Sequence, residues 1–321
     1  MSLYSLIRDG ADVRQGFAAR LLRPSVKFDR GLQAPPLTTN YQFVGGAFDY
    51  LLRFFLQRIN PHARVAPWVA ERGVEVITLG QGVSPGQDVP TISRHPRRLR
   101  AAAYLADAKR QHRTYLENGQ VTENLLIAAH RLAHLDVAFR AGPDSVDWRS
   151  INYLSSDDAA DLKALLQLVD EKTFRTSRAC LLKPRLRAAE LVGGADPDLI
   201  LDNCLVDVTT TKLRRVDVRD VHQLVASWLL LGLGGIAHEN GKVEQCPVTS
   251  IGIYFSRFGL LWKVPVEQML PASAVPDLTR WFVDTACASN KAGPELLRAL
   301  RGPLAGYVSE RNGTLIPGRK N

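Results

Sequence analysis

The stretch Gly193-Gly194-Ala195-Asp196-Pro197-Asp198-Leu199-Ile200-Leu201-Asp202-Asn203-Cys204-Leu205-Val206-Asp207-Val208-Thr209-Thr210-Thr211-Lys212 holds two short apolar runs split by Asp202-Asn203. Asp and Asn suit a two-residue hairpin turn. Closing the chain there sets Leu201 against Cys204, Ile200 against Leu205 and Leu199 against Val206. Asp198 then faces Asp207, and Thr209 follows on the same face because strand side chains alternate. Directly opposed Cβ atoms lie about 4.5–5.5 Å apart, where like charges repel. A hard divalent cation between the two carboxylates reverses that penalty. The alternative is a solvated hairpin whose acids point into water. Leu199, Ile200, Val206 and Val208 flank the acids and demand burial, which favours a metal site.

Downstream, Val218 to Leu233 reads as a strongly apolar helix. Ser250 to Phe255 and Leu260 to Val264 read as a hairpin turned at Phe258-Gly259. Upstream, Pro184 to Leu191 reads as helical with its proline in the first turn, broken by Gly193-Gly194. Ser155-Ser156-Asp157-Asp158 caps a helix running to about Val169. A mostly helical region runs from Arg97 to Phe139, and Gly142-Pro143 ends it. Val74 to Leu79 alternates like a short strand and leads into a glycine-rich loop, Gly80 to Gly86. Tyr41 to Ile59 has Phe43, Ala47, Tyr50, Leu51, Phe54 and Phe55 at helical spacing, with Asn40 as cap and Asn60-Pro61 as stop. Residues 1–40, punctuated by Pro24, Pro35 and Pro36, read as irregular, and about 276–307 as a final helical segment. A helical first half feeding strand, strand, helix, strand, strand predicts one α/β unit with helical additions.

With these residues placed, the chain resembles the PD-(D/E)XK nucleases, and within them the RecB-type branch. That branch has a helix bearing G-x-x-x-H, then G-x-x-D, then D-x-K, then a helix with Q-x-x-x-Y. Gly45-Gly46-Ala47-Phe48-Asp49 matches the first motif with Asp for His. Ala195-Asp196-Pro197-Asp198 matches the second with Ala for Gly. Asp207-Val208-Thr209 matches the third, with Thr209 in the lysine position. Gln223-Leu224-Val225-Ala226-Ser227 matches the fourth with Ser for Tyr, and Trp228 stands beside it. The motifs keep the family's order and span residues 45–228, over half of the chain.

The resemblance implies a restriction-endonuclease-like mixed sheet core flanked by helices. A single domain would hold a core of about 41–60 and 181–270, a helical insertion or cap of about 60–170, and C-terminal helices of about 276–307. It also implies Mg²⁺- or Mn²⁺-dependent hydrolysis of phosphodiesters, with Asp49, Asp198 and Asp207 as metal ligands. Such ions activate water and neutralise charge on the phosphate. Glu190 either adds a carboxylate or is a solvated helix acid. Gln223 either orients a ligand or lies on the helix surface. The family's lysine helps position and deprotonate the water, a role threonine cannot fill by charge. Lys212 points away from Asp207 by strand parity unless the strand bulges or ends at Thr210, and Lys183 is the other candidate amine. The same fold also serves as a catalytically inactive nucleic-acid-binding or complex-scaffolding protein. The expected setting is prokaryotic phage defence or DNA processing, with protein partners in a multi-subunit system.

Of the 321 residues, 45% are hydrophobic and 23% charged, which excludes wholesale disorder. No run of about 18 apolar residues occurs, so no membrane span is expected. The start, Met1 to Arg14, carries both charge signs and no apolar core, unlike a secretory signal. Cys180, Cys204, Cys246 and Cys287 form no CxxC pair, which points to reduced thiols in a cytoplasm. The formal charge is +9 and Arg supplies 31 of the 41 basic residues. Either a polyanionic partner, DNA in the first place, or an Arg-rich composition spread over the surface accounts for it. Arg94, Arg97, Arg98 and Arg100, with Lys109, Arg110 and Arg113, form the densest basic stretch and are the candidate nucleic-acid track. His130 and His134 stand at zinc-ligand spacing but lack the glutamate of a metalloprotease motif, and Leu79 to Gly86 lacks the ending of a phosphate loop.

Overall fold

The structure is a computed structural model that describes residues 2–22, 24, 28–79, 96–195, 197–288, 290 and 293–308. Its strands are β1 (Arg64–Val65), β2 (Cys180–Leu182), β3 (Leu199–Leu201), β4 (Cys204–Thr209), β5 (Ile236–Ala237), β6 (Val243–Glu244), β7 (Ser250–Phe255) and β8 (Leu260–Pro265). Its α-helices are α1 (Leu3–Asp9), α2 (Ala11–Ala18), α3 (Tyr41–Ile59), α4 (Val69–Leu79), α5 (Pro96–Asn118), α6 (Glu123–Ala141), α7 (Ser156–Gln167), α8 (Glu171–Phe174), α9 (Val218–Gly234), α10 (Val275–Ala288) and α11 (Gly293–Arg298).

Six strands form a mixed sheet in the order β1-β2-β3-β4-β7-β8, and β5 pairs with β6 in a small hairpin. The β3–β4 ladder pairs Leu199 with Val206, Ile200 with Leu205 and Leu201 with Cys204, the register the sequence dictates. β4 runs parallel to β7, with α9 in the connection between them. Alternation along the strands sorts side chains to two cores. Ile200, Leu205, Ile251 and Ile253 pack with Leu6 of α1, Phe17 of α2, Leu229 of α9 and Phe282 of α10. Leu199, Leu201, Val206 and Tyr254 pack with Phe48 of α3, Leu132 of α6 and Leu162 of α7. The sheet is therefore a slab between two helical layers, which is why β3 reads as a continuous apolar run. Each such side chain contributes about 1.5–3 kcal/mol when fully buried.

Helices α3, α7 and α9 and the β7–β8 hairpin form where the sequence places them. Ser155 caps α7, its Oγ accepting the Asp158 N–H at 3.0 Å. Three segments differ. Residues 1–40 are not irregular throughout, because Leu3, Leu6, Ile7 and Phe17 give α1 and α2 a buried stripe. Val74 to Leu79 belongs to α4 rather than a strand, since Ala70, Gly73 and Ile77 are its buried face. A Cβ on Gly73 would lie 2.0 Å from the Leu135 carbonyl oxygen, so α4 and α6 touch backbone to backbone there. Pro184 opens no helix. The chain runs extended to Leu186, which bridges to Ile236, and a 3-10 turn spans only Arg187–Val192. The C-terminal helical segment forms where expected, as α10, α11 and a 3-10 turn at Ala305–Tyr307.

The loop expected at Gly80 to Gly86 lies outside the described residues. Arg257, in the turn between β7 and β8, joins the layers. Its guanidinium holds Asp161 of α7 at 2.7 and 3.0 Å, donates to the Ala34 carbonyl at 3.1 Å, and both side chains are fully buried. Among the described residues no helix is long and apolar enough to cross a membrane.

Candidate metal centre

The turn of the hairpin is fixed first. Asp202 takes φ 51°, and its carboxylate accepts the N–H groups of Ser177, Arg178 and Ala179 at 2.7–3.3 Å, anchoring the approach to β2. β2 pairs with β3, so Lys183, just past its end, comes level with Asp198, and the Lys183 N–H donates to the Asp198 carbonyl at 2.8 Å. Lys183 has φ 55°; among the described residues only it and Asp202 are non-glycines with positive φ. That turn leads its side chain to the acids.

Four of the residues singled out by sequence converge. The Lys183 ammonium binds Asp198 Oδ1 and lies 3.7 Å from Asp49 Oδ2. Asp198 Oδ2 accepts the Val208 N–H at 2.7 Å. Asp207 adjoins Asp198: burial, then the Asp198 carboxylate, pushes the Asp207 carboxyl well above its usual range, against the pull of Lys183. Burial alone would raise Asp49 too, but Arg53 and then Lys183 override it and hold that carboxyl low. Burial disfavours the charged lysine, yet Asp198 and Asp49 raise the Lys183 amine above its ordinary value.

Arg53 reaches Asp49 Oδ2 at 2.9 Å and stacks over the Tyr50 ring at 4.1 Å. The Tyr50 hydroxyl donates to Asp136 at 2.6 Å, and burial pushes the Asp136 carboxyl up to about 6. Sequence reading does not single out Arg53, Asp136 or Asp220, and gives Tyr50 only as part of the apolar spacing of its helix. The available signal for Arg53 was its position four residues after Asp49, the spacing that pairs helix side chains. Asp220, in the first turn of α9, is pushed up to about 6 by burial and then by Asp217, and adds negative charge beside Asp207.

The remaining expected residues make no hydrogen bond or ion pair with these acids. Thr209 is half-buried on β4, its carbonyl accepting the Ser256 hydroxyl at 3.2 Å. Lys212 is exposed, its Nζ 5.7 Å from the Tyr41 ring centroid. Gln223 is half-buried on α9. Glu190 lines a depression of about 310 Å³ with Arg72, Arg185 and Gly194. A larger cleft of about 750 Å³, bordered by Trp68, His112 and Arg185, begins at Gln57, two helical turns past Asp49 on α3.

Of the basic stretch, Arg94 lies outside the described residues and Arg97, Arg98 and Arg100 stand among the first five residues of α5. Lys109 pairs with Glu71 and Arg110 with Asp107, which interrupts the expected track. His130 and His134 are buried against each other, Nε2 to Nε2 3.1 Å, with Phe43 stacked on His134.

Among the described residues no three acidic, histidine or cysteine side chains converge closely enough to hold a metal ion. The set present is the Asp198–Asp207 pair, with Asp49 behind Lys183 and its buried Oδ1 lacking a hydrogen-bond partner. This donor chemistry fits Mg²⁺ or Mn²⁺, hard cations that take one or two carboxylates and fill their other positions with water and phosphate oxygens. No known protein family, curated protein or solved structure matches the chain, so the site stands on its own geometry.

Proposed function

We propose that the chain is a Mg²⁺- or Mn²⁺-dependent DNA nuclease with a restriction-endonuclease-like, PD-(D/E)XK-type core, in which Lys183 supplies the ammonium that Thr209 lacks. The observation that carries this reading is the contact of Lys183 with Asp198, beside Asp207 and within 3.7 Å of Asp49. A non-glycine residue in the left-handed region costs about 1–3 kcal/mol, and such strain concentrates where a side chain must be aimed. Lys183 bears it directly before Pro184, a position already restricted. Asp198 and Asp207 would hold the ion, and when bound it supplies an activated water and neutralises phosphate charge. Asp49, itself held by Arg53, draws the Lys183 ammonium from behind. The Lys183 ammonium, aimed at the carboxylates, is placed to orient the water and to stabilise negative charge growing on the phosphate. We assign the setting to prokaryotic phage defence or DNA processing, in the cytoplasm and with protein partners.

The same contact also suits an inactive, scaffolding protein, because the Lys183–Asp198 ion pair satisfies part of the site without metal. Cleavage of plasmid, linear duplex and single strands with Mg²⁺ or Mn²⁺ separates the two. The wild type is expected to cut, Asp207→Asn and Lys183→Ala to lose at least a hundredfold in rate, and Thr209→Lys to retain cutting. If wild type and Thr209→Lys are both folded and neither cuts any substrate with either ion, the protein is not a nuclease.

A further inference from the structure

The face of α3 that carries Asp49 continues outward past Gly45 to Tyr41, at four-residue intervals. Gly45 lies against Thr210: a Cβ there would sit 3.8 Å from the Thr210 side chain. The loop after β4 therefore runs along the start of α3. Tyr41 is 47% exposed, and Leu213 is 50% exposed. Lys212 Nζ stands 5.7 Å over the Tyr41 ring. Lys212, Arg214 and Arg215 are all exposed, and no acid occurs between Thr209 and Val216. The next acid, Asp217, is occupied by Arg219. An exposed aromatic ring with the Lys212 ammonium over it thus stands about 12 Å along the helix from Asp49 at 1.5 Å per residue. Arg214, whose guanidinium donates to the Phe28 carbonyl, and Arg215 follow in the same loop.

We propose that Tyr41 and the Lys212–Arg215 loop form a stacking platform for an unpaired nucleobase, so that the strand led to the acids is single-stranded or frayed. The inference rests on the nuclease reading for its direction, since it names the substrate form of that site. A ring stacks on any base whose face is open, and neighbouring cations meet the phosphates on either side. In a paired duplex the base faces are covered by their neighbours, and the ring has nothing to stack on. A protein or an anionic lipid surface would also use the exposed Leu213, Tyr41 and the cations, but the ring stands on the helix face that carries Asp49, where a strand led to the acids would pass.

The test is binding by the full chain in EDTA, read by fluorescence anisotropy with three labelled probes: a thymidine oligonucleotide, the same strand with abasic sites, and a blunt duplex. The wild type is expected to prefer the thymidine strand over the abasic strand by about tenfold. Tyr41→Ala should lose that preference, and Tyr41→Trp should keep it. Lys212→Ala should weaken binding to both strands and flatten the salt dependence by about one unit of slope. Equal binding of thymidine and abasic strands by the wild type overturns the platform, as does a preference that survives Tyr41→Ala. Because no metal is present, this outcome is independent of cleavage. Base preference without any cutting would leave the platform standing and remove the nuclease, and Asp207-dependent cutting without base preference would do the reverse.

Discussion

His134 shows what burial does to a single titratable side chain here. Desolvation, then the neighbouring His130, holds its imidazole down to about 3, and desolvation lowers His130 as well. An imidazole whose folded pKa is depressed binds protons more weakly folded than unfolded. Its contribution is therefore fully present above the unfolded value of about 6.5 and is lost as pH falls toward the folded one. The expected slope is about 1.4 kcal/mol per pH unit for this group, in the window from about 6.5 down to 3. Thermal melts between pH 7 and 4 should show Tm falling with acid, and His134→Leu should flatten part of that fall. His112 and His222, both held down to about 4 by burial, keep the remaining slope. A slope unchanged in His134→Leu would show that the residue is protonated in the folded chain. At this scale the sequence shows which acids face each other but not which amine meets them. Asp198 and Asp207 are joined by a local turn, whereas Lys183 depends on β2–β3 pairing and on a backbone conformation that no propensity favours for lysine.

Between elements, the α4–α6 contact turns on Gly73. Replacing it with alanine drives a methyl group into the Leu135 carbonyl, and the two helices must part. Gly73→Ala is expected to destabilise by about 1–3 kcal/mol despite its better helix propensity. Urea unfolding should show a lower midpoint with an unchanged slope, and a stabilised variant would mean that the helices are not in contact. The same helix shows why some elements were legible and others not. The β3–β4 hairpin has a turn dipeptide and apolar runs of matching length, so one register satisfies both. In α4 the alternation of Val74, Glu75 and Val76 imitates a strand, while the deciding residues, Ala70, Gly73 and Ile77, include a glycine that carries no apolar signal. α1 and α2 were obscured in the same way. Gly16 is needed because the Trp281 ring lies where a Cβ would be, and that ring comes from α10, far along the chain. Pro184 by its usual preference suits a helical first turn, but the Leu186–Ile236 bridge keeps that segment extended.

Across the whole molecule, Arg257 and Asp161 bind the helical layer of α3 and α7 to the far end of the sheet. Removing one partner strands the other charge in the interior. Arg257→Met should cost about 3–5 kcal/mol, while the double variant Arg257→Met with Asp161→Leu should recover most of it. A double-mutant cycle in urea that shows no coupling would mean that water reaches the pair. The hairpin has a further consequence for how the chain assembles. Asp198 and Asp207 lie nine positions apart, but Lys183 lies 134 positions from Asp49. A hairpin closes in about 1–10 μs, whereas distant segments must first pay for closing long loops. The two carboxylates therefore meet early, before the cations that offset their repulsion arrive. In stopped-flow refolding, Asp207→Asn should speed the folding limb by roughly threefold. The wild-type chain then folds more slowly than its topology alone requires, held back by the charges that equip its site.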